Sequence, residues 1–174
     1  MLYYTGIGSR TVPDDIVRMM RYIGKQLADK WTVRSGFADG ADKAFCYGAD
    51  KVNGPMENYL PWVGFNGAPL NDPRFICINN IKAKHIAEKH HSNWKACSPA
   101  ARELHTRNVF QVLGSDLQTP SDMIVCWTPG ASGSGGTGQA IRIARGYGIP
   151  VFDLASVSQQ KALSEFVTQT EEGI

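Results

Sequence analysis

The chain has 174 residues, of which 43% are hydrophobic and 20% are charged, a composition typical of one globular domain and not of a disordered protein. A protein of this length buries roughly two-thirds of its unfolded surface, which is enough core to fold without disulfides. The 18 lysines and arginines against 16 aspartates and glutamates give a net charge of +2, too small to predict a DNA-binding protein from charge alone.

In the first half of the sequence, short apolar segments alternate with helical patterns. Segments bounded by glycine or proline predict three strands, at residues 2–5, 31–34 and 58–62. Apolar residues at helical spacing predict a helix from Asp14, its cap, to Leu27, and a second helix that ends near Gly48. Glycine-bearing turns follow the first two strands.

The second half continues the alternation after a less regular segment at 64–97, whose prolines, glycines and asparagines predict a loop before a helix at 81–91. Strands are predicted at 123–127 and 149–154. Further helices are predicted at 99–113 and at about 158–167. Another helix is predicted to follow the glycine-rich stretch 129–138 and to continue through Arg145.

This alternation predicts an α/β fold: a doubly wound parallel sheet, Rossmann-like, with helices on both faces. We expect a single domain over residues 1–174, with a loop and helix insertion at about 64–97. Ligands of such sheets bind outside the carboxyl ends of the strands, where the strand order reverses.

The N-terminal residues contain no basic region followed by an apolar core, and no apolar run approaches the ~20 residues that span a bilayer. We therefore expect a cytoplasmic protein with no membrane partner. The four cysteines are widely spaced and form no C-x-x-C pair, which favours free thiols: Cys46, Cys77, Cys97 and Cys126.

The strongest chemical signal is the stretch from Pro129 to Gln139, which lies between a predicted buried strand and a helix. Its glycines allow several backbone N–H groups to point at one anion, and the helix adds its positive end. The hydroxyls of Ser134 and Thr137 can donate as well. No lysine follows as in a P-loop, and no G-x-G-x-x-G follows the first strand, so the pattern favours a phosphate site of another type. The alternative is a flexible surface loop.

Two further turns carry polar groups. The turn at residues 6–10 offers backbone donors and the Arg10 guanidinium, which can pair with a phosphate or remain a surface cation. The turn at 35–42 offers Asp39 and Asp42, which can accept ribose hydroxyls. The alternative for at least one of these carboxylates is to cap the following helix.

The turns at 6–10 and 35–42, with Gly48-Ala49 and Arg107-Asn108, resemble the DprA family of DNA-processing proteins. Residues 122–137 are similar to the Lonely Guy phosphoribohydrolases, and both families belong to the SLOG superfamily of Rossmann-like nucleotide binders. Short freestanding proteins of this pattern also resemble phage-encoded members. The resemblance implies a nucleotide site made of Gly6, Gly8, Ser9, Arg10, Ser35, Gly36, Asp39, Asp42, Arg107, Asn108, Pro129, Gly130, Ser134, Gly135, Gly136, Thr137, Gly138 and Gln139.

One departure from the Lonely Guy pattern bears on catalysis. In that family an acid follows the Gly-Thr pair, but here Gly138 and Gln139 follow it. An amide can hold a ligand, but it is neither a general base nor a charge that stabilises an oxocarbenium ion. We therefore expect no catalytic residue, unless Asp39, Asp42 or Glu103 supplies the acid.

A cluster of basic residues and histidines suggests two other sites. Lys82, Lys84, Lys89 and Lys95, with Trp94 between them, can meet a nucleic acid, although a solvated helix face explains them better. His85 and His90 are five residues apart and do not share a helix face. We therefore expect no metal site, although His85, His90 and His91 are close in sequence to Cys97 and His105.

Three functions remain from these observations. The first is non-catalytic binding, and sequestration, of a nucleotide-derived ligand such as an NAD-derived cyclic ADP-ribose signal. The second is a nucleoside-monophosphate N-glycosidase, and the third is a single-stranded DNA-binding protein. We favour the first, with no cofactor, a nucleotide-type small molecule as partner, and a homodimer or higher oligomer built on the amphipathic helix at 99–113.

Overall fold

The computed structural model describes residues 1–173. The strands are β1 (Leu2–Gly8), β2 (Trp31–Ser35), β3 (Met56–Leu60), β4 (Phe75–Cys77), β5 (Met123–Trp127) and β6 (Val151–Asp153). The helices are α1 (Asp14–Leu27), α2 (Ala41–Asp50), α3 (Ile81–Lys89), α4 (Pro99–Leu113), α5 (Gly135–Gly146) and α6 (Val157–Glu172). Short 3₁₀ turns occur at Phe65–Gly67, Trp94–Ala96 and Pro129–Ala131.

All six strands belong to one parallel sheet in the order β4-β3-β2-β1-β5-β6. The chain moves outward from β1 to β4 on one side, then returns to β5 on the other side of β1. The strand order therefore reverses between β1 and β5, and the predicted doubly wound, Rossmann-like α/β fold is confirmed.

Each face of the sheet carries its own apolar core, because successive side chains of a strand point to opposite faces. In β5, Met123 and Val125 lie in the core beneath α1, α2 and α6. Ile124 and Cys126 lie in the core beneath α3, α4 and α5. Helices thus cover both faces, which explains why β5 is an unbroken apolar run.

The segment at 64–97, where a loop and helix insertion was expected, contributes one short strand to the sheet and one helix to its cover. Its residues 75–77 form β4, which pairs in parallel with β3. Ala83 and Ala87 of α3 are fully buried in the second core. The sequence predicts a loop where β4 lies because three residues after a proline-rich stretch give no strand pattern.

Among residues 1–173, none of the helices has the length and apolar character needed to cross a membrane.

Candidate functional site

A cleft of about 490 Å³ opens at the carboxyl ends of β1 and β5, where the strand order reverses. Four segments form its walls: the turn after β1, the turn after β2, α4, and the loop that leads into the first turn of α5. The predicted residues that line it are Gly8, Ser9, Arg10, Asp42, Arg107, Asn108, Pro129, Ser134, Gly135, Gly136 and Thr137.

The N-terminus of α5 faces this cleft. Ser134 is the N-cap residue, but its side chain makes no capping hydrogen bond, and Gly135, Gly136 and Thr137 form the first turn. The N–H groups of a first turn have no intrahelical acceptor, and the helix dipole makes this end positive. The arrangement can bind an anion.

The loop before α5 is held in place by Thr128. Its hydroxyl donates to the buried carboxylate of Asp153 and accepts the Gly133 N–H at 2.9 Å. The Thr128 N–H donates to the same carboxylate at 3.2 Å, and its carbonyl accepts the Ala131 N–H at 3.0 Å. These hydrogen bonds hold the loop that leads into α5 in one position.

The turn after β1 forms another wall of the cleft. The Ser9 N–H donates to the Trp127 carbonyl at 3.1 Å, which joins the ends of β1 and β5. An added Cβ at Gly8 would lie 2.8 Å from both the Ala41 Cβ and the Trp127 carbonyl oxygen, so only glycine fits here. Arg10 is exposed at the rim and, among residues 1–173, forms no ion pair.

Asp42 and Arg107 are two buried groups of opposite charge that line the cleft, and within residues 1–173 they do not form a direct ion pair. The Asp42 carboxylate accepts the N–H groups of Gly36, at 3.1 Å, and Ala38, at 3.4 Å, so it also closes the turn after β2. Burial raises the pKa of Asp42 to about 6, against the lowering effect of the Arg107 guanidinium. The carboxyl therefore titrates close to neutral pH.

Arg107 uses its donors mainly on the protein itself. Its guanidinium donates to the Gly36 carbonyl and, at 3.4 Å, to the Tyr59 carbonyl, and its Nε donates to the side-chain oxygen of Asn108 at 3.2 Å. The residue is only 7% exposed. It therefore lines the cleft while tying α4 to the ends of β2 and β3.

Gln139 does not line the cleft. Its side chain is fully buried, donates to the Ala87 carbonyl at 3.0 Å, and accepts hydrogen bonds from Asn108 at 3.0 Å and His105 at 3.1 Å. The amide joins α3, α4 and α5, and because it is fully buried outside the cleft it does not face a ligand there.

Three more of the predicted residues, Ser35, Gly6 and Asp39, do not line the cleft and contact other parts of the protein instead. Ser35 is buried and donates to the Gly6 carbonyl at 2.6 Å, and an added Cβ at Gly6 would press on the Phe45 ring. Asp39 is exposed and pairs with Lys43 at 2.8 Å. The remaining residues outside the lining are Gly36, Gly130 and Gly138.

Sequence reasoning missed several residues of the cleft wall. Gln111 lies on α4 one turn after Arg107, and its Nε2 has no hydrogen-bond partner among residues 1–173 although the residue is 1% exposed. The four-residue spacing from Arg107 is the signal that could have found it. His105, which shares α4 with Arg107 and is a candidate for the site for that reason, also lines the cleft, as do Ile7 and Ala38 from the predicted turns. The remaining lining residues, outside every segment predicted for the site, are Ala101, Leu104, Thr128 and Ala140.

The basic and histidine-rich segment divides into separate parts. Trp94 is buried, with the Arg102 guanidinium 5.6 Å from its ring centre, so its ring is not free to stack on a base. His85 is exposed and His90 contacts the Ile86 carbonyl. His91, Cys97 and His105 instead converge on one point, which the spacing argument for a single helix did not anticipate.

No family model, curated protein or solved structure matches this sequence. Its resemblance to the SLOG superfamily therefore rests on the motifs and stays a prediction. The structure itself establishes a Rossmann-like parallel sheet with a cleft at the point where its strand order reverses.

Proposed function

We propose that the protein binds an anionic, nucleotide-type ligand in the β1–β5 cleft and does not convert it. The observation that carries the proposal is the uncapped N-terminus of α5, which lines the cleft at the point where open α/β sheets bind ligands. The ligand class that we favour is an NAD-derived cyclic ADP-ribose, which the protein would hold as a sequestered signal.

The phosphate end of the ligand is assigned to α5. Gly135 and Gly136 carry no side chain, so a phosphate can reach their N–H groups closely, and the Thr137 hydroxyl lies beside them. The exposed Arg10 guanidinium stands at the same cleft and can close over a bound phosphate.

The rest of the ligand is assigned to the α4 wall. Ala101 and Leu104 provide apolar surface there, and Gln111 provides a buried N–H donor that lacks a protein acceptor within residues 1–173. A buried donor without a partner costs free energy, so a ligand oxygen or ring nitrogen at this position is favoured. The volume of about 490 Å³ suits a small molecule such as one nucleotide.

The absence of catalysis is supported by where the acids lie. Asp39 and Glu103 are exposed and are not part of the lining, and the amide of Gln139 is buried away from the ligand. Asp42 is the one carboxyl that lines the cleft within residues 1–173, and it is engaged by backbone N–H groups.

Asp42 also favours a second candidate function, the N-glycosidase. A carboxyl with a pKa of about 6 is both protonated and ionised in useful amounts near neutral pH, as a general acid or base must be. In its charged form it can stabilise the oxocarbenium character of a ribose during N-glycosidic cleavage.

The binding proposal is tested by calorimetry against nucleoside monophosphates, NAD, ADP-ribose, cyclic ADP-riboses and a short single-stranded oligonucleotide. The informative variant is Gly136→Asp, with Gly136→Asn as its uncharged control, because an added Cβ at Gly136 meets no atom within 4 Å. An acid in the first turn stabilises a helix but repels a bound phosphate. We expect Gly136→Asp to bind at least about tenfold more weakly than Gly136→Asn, which corresponds to ~1.4 kcal/mol.

Three results would contradict this proposal. One is folded protein that binds none of the small molecules, and another is Gly136→Asp protein that binds as tightly as its control. The third is preferential binding of the oligonucleotide, which would favour the DNA-binding function.

The two candidate functions are separated by chromatography of the same nucleotides after incubation with the protein. Recovery of intact ligand supports the binder. Multiple turnovers to free base that disappear in Asp42→Asn protein, while the ligand still binds, would establish the N-glycosidase.

A further inference from the structure

A second group of chemically active side chains lies at one end of the cleft. His91 follows α3, Cys97 precedes α4, and His105 lies on α4. One nitrogen or sulfur atom from each lies within 4.8 Å of the others. The Cys97 Sγ is 3.6 Å from the His91 Nε2, and the ring centres of His91 and His105 are 4.3 Å apart.

The hydrogen bonds of Gln139 fix which nitrogen of His105 is free. Because the Gln139 Nε2 donates to the Ala87 carbonyl, its Oε1 faces His105 and can only accept a hydrogen bond. Asn108 donates to the same oxygen and holds it in place. The His105 Nδ1 therefore carries the proton, and its Nε2 keeps a lone pair. This arrangement, with one imidazole nitrogen donating to a fixed oxygen, orients histidines that bind metals.

Outside the group and within residues 1–173, the other two side chains make hydrogen bonds only to the exposed backbone of Asn93, and an ion can displace these bonds. His91 and Cys97 are both half-buried, so an ion from solvent can reach them. The His91 Nδ1 accepts the Asn93 N–H at 3.1 Å, and the thiol of Cys97 makes a long contact of 3.6 Å to the Asn93 carbonyl. Asn93 is exposed, so water can replace its bonds when an ion binds.

We propose that His91, Cys97 and His105 form a site for a borderline-soft divalent transition metal, with zinc as the ion that best fits the donors. Two imidazole nitrogens and one thiolate suit zinc, whereas magnesium and calcium need oxygen ligands that this group does not contain. Donor atoms that share one tetrahedral zinc ion are about 3.3–3.6 Å apart. The Cys97 Sγ lies 3.6 Å from the His91 Nε2 and 3.8 Å from its Nδ1. Binding through Nε2 requires the His91 proton to move to Nδ1, which gives up the Asn93 bond, and the other donor pairs require small side-chain rotations.

The position of the proposed metal site has two consequences. His105 also lines the nucleotide cleft, so a metal held by three protein ligands leaves a fourth coordination position near the bound ligand. The ion also ties the segment between α3 and α4 to the middle of α4, and it releases the proton of the Cys97 thiol as it binds.

The site is tested on the full-length protein, stripped of metal with a chelator, by titration with cobalt(II). We expect one equivalent of cobalt to produce the near-ultraviolet thiolate-to-metal absorption and the intense visible bands of tetrahedral cobalt, and zinc to displace both. Cys97→Ser should abolish the thiolate band. His91→Asn should weaken binding at least about tenfold, because substituting even a residue that only orients a metal ligand commonly costs about 10–100-fold in affinity.

Two matched variants serve as controls. Cys77→Ser and His85→Asn remove an exposed cysteine and an exposed histidine outside the group, and both should bind cobalt like the unmodified protein. The proposal is overturned if the unmodified protein gives only the weak spectrum of hydrated cobalt, or if the Cys97→Ser and His91→Asn variants both bind as it does. Because the readout is the metal, its result is independent of whether a nucleotide binds.

Discussion

At the scale of single residues, two buried side chains of opposite charge, Asp42 and Arg107, support the wall of the cleft. Each side chain bonds backbone groups of the turn after β2, so the pair holds the site in shape before any ligand arrives. Burial affects both groups, raising the pKa of Asp42 and lowering the pKa of Arg107. Ionisation of Asp42 therefore makes the stability of this part of the cleft depend on pH.

Asp42→Asn should change how stability depends on pH. In the folded protein the Asp42 pKa is about 6, above its ordinary value of 3.8, so between these values the folded state holds a proton that the unfolded state has lost. The proton on Asp42 stabilises the folded state fully below pH 3.8, and this stabilisation is lost as the pH rises through about 6. We expect the variant to gain stability relative to the unmodified protein as the pH rises from about 4 to about 7.

The measurement is urea denaturation of both proteins across that pH range. The comparison cancels the titration of the histidines and other acids, which both proteins share. A difference in unfolding free energy that stays constant with pH, or that moves in favour of the unmodified protein, would show that burial does not raise the Asp42 pKa.

Arg107→Ala should destabilise the fold. The substitution removes the positive charge that stabilises the ionised Asp42 and leaves the Gly36 and Tyr59 carbonyls without the Arg107 donor. A buried acceptor left without its donor commonly costs about 1–3 kcal/mol, and we expect a loss in that range. Chemical denaturation at neutral pH tests this, with the exposed Arg145→Ala as control, for which a change within about 0.5 kcal/mol is expected. Equal stability of the two variants would refute the structural role of Arg107.

Single residues also show how far the sequence could be used to predict the site. The motifs identify Arg107 and Asn108 at the cleft, but they predict contact with ligand where the Arg107 guanidinium chiefly contacts carbonyls. Gln139 was expected to hold the ligand, yet its amide bonds α3 and α4. The position of a residue in a motif indicates its neighbourhood, whereas the direction of its side chain depends on packing between distant segments.

At the scale of elements, two of the glycines at the start of α5, Gly136 and Gly138, have different requirements. An added Cβ at Gly136 meets no atom within 4 Å, whereas an added Cβ at Gly138 would collide with the Gly133 carbonyl oxygen. Glycine at 138 therefore allows the loop to lie against its helix, and glycine at 136 leaves room in the cleft.

Gly138→Ala should destabilise the protein by about 1–3 kcal/mol, the usual range for overpacking. Gly136→Ala should leave stability unchanged or raise it by up to about 1 kcal/mol, because alanine restricts the unfolded state. Thermal unfolding of the two variants is the measurement. A similar melting temperature for both would show that the loop before α5 does not pack as described.

The elements themselves were mostly predictable. β5 is a continuous apolar run and α4 has a serine cap and a glycine stop, so both were predicted with the bounds that the structure shows. The three-residue β4 was missed because its strand character depends on the neighbouring β3. Pairing between strands is a tertiary property that a local pattern does not contain.

At the scale of the whole molecule, the prediction of a homodimer needs a different surface from the apolar face of α4. Val109, Phe110 and Leu113 of that helix are buried within the protein's own core, so they are not free for a partner. Large apolar side chains are exposed on α1 and α2, where Tyr22 is 64% and Tyr47 is 47% exposed.

We therefore expect a dimer that uses the α1–α2 surface. Light scattering of the purified protein at micromolar concentration should give twice the mass of 19.1 kDa. Tyr22→Lys together with Tyr47→Lys should shift the mass toward that of one protomer, since charges disfavour a desolvated interface. A single-protomer mass before any substitution would contradict the dimer.

The central pairing of the sheet also has a consequence for how the protein folds. The Tyr3 N–H and the Asp122 carboxylate, which join the start of β1 to the start of β5, are 119 residues apart in sequence. A contact of this range is slow to form because a long loop must close first. During synthesis, β1 stays without its β5 neighbour until most of the protein has been made. The cleft is therefore assembled late in folding, and a nascent polypeptide stalled before β5 leaves the β1 edge open to pairing with other molecules.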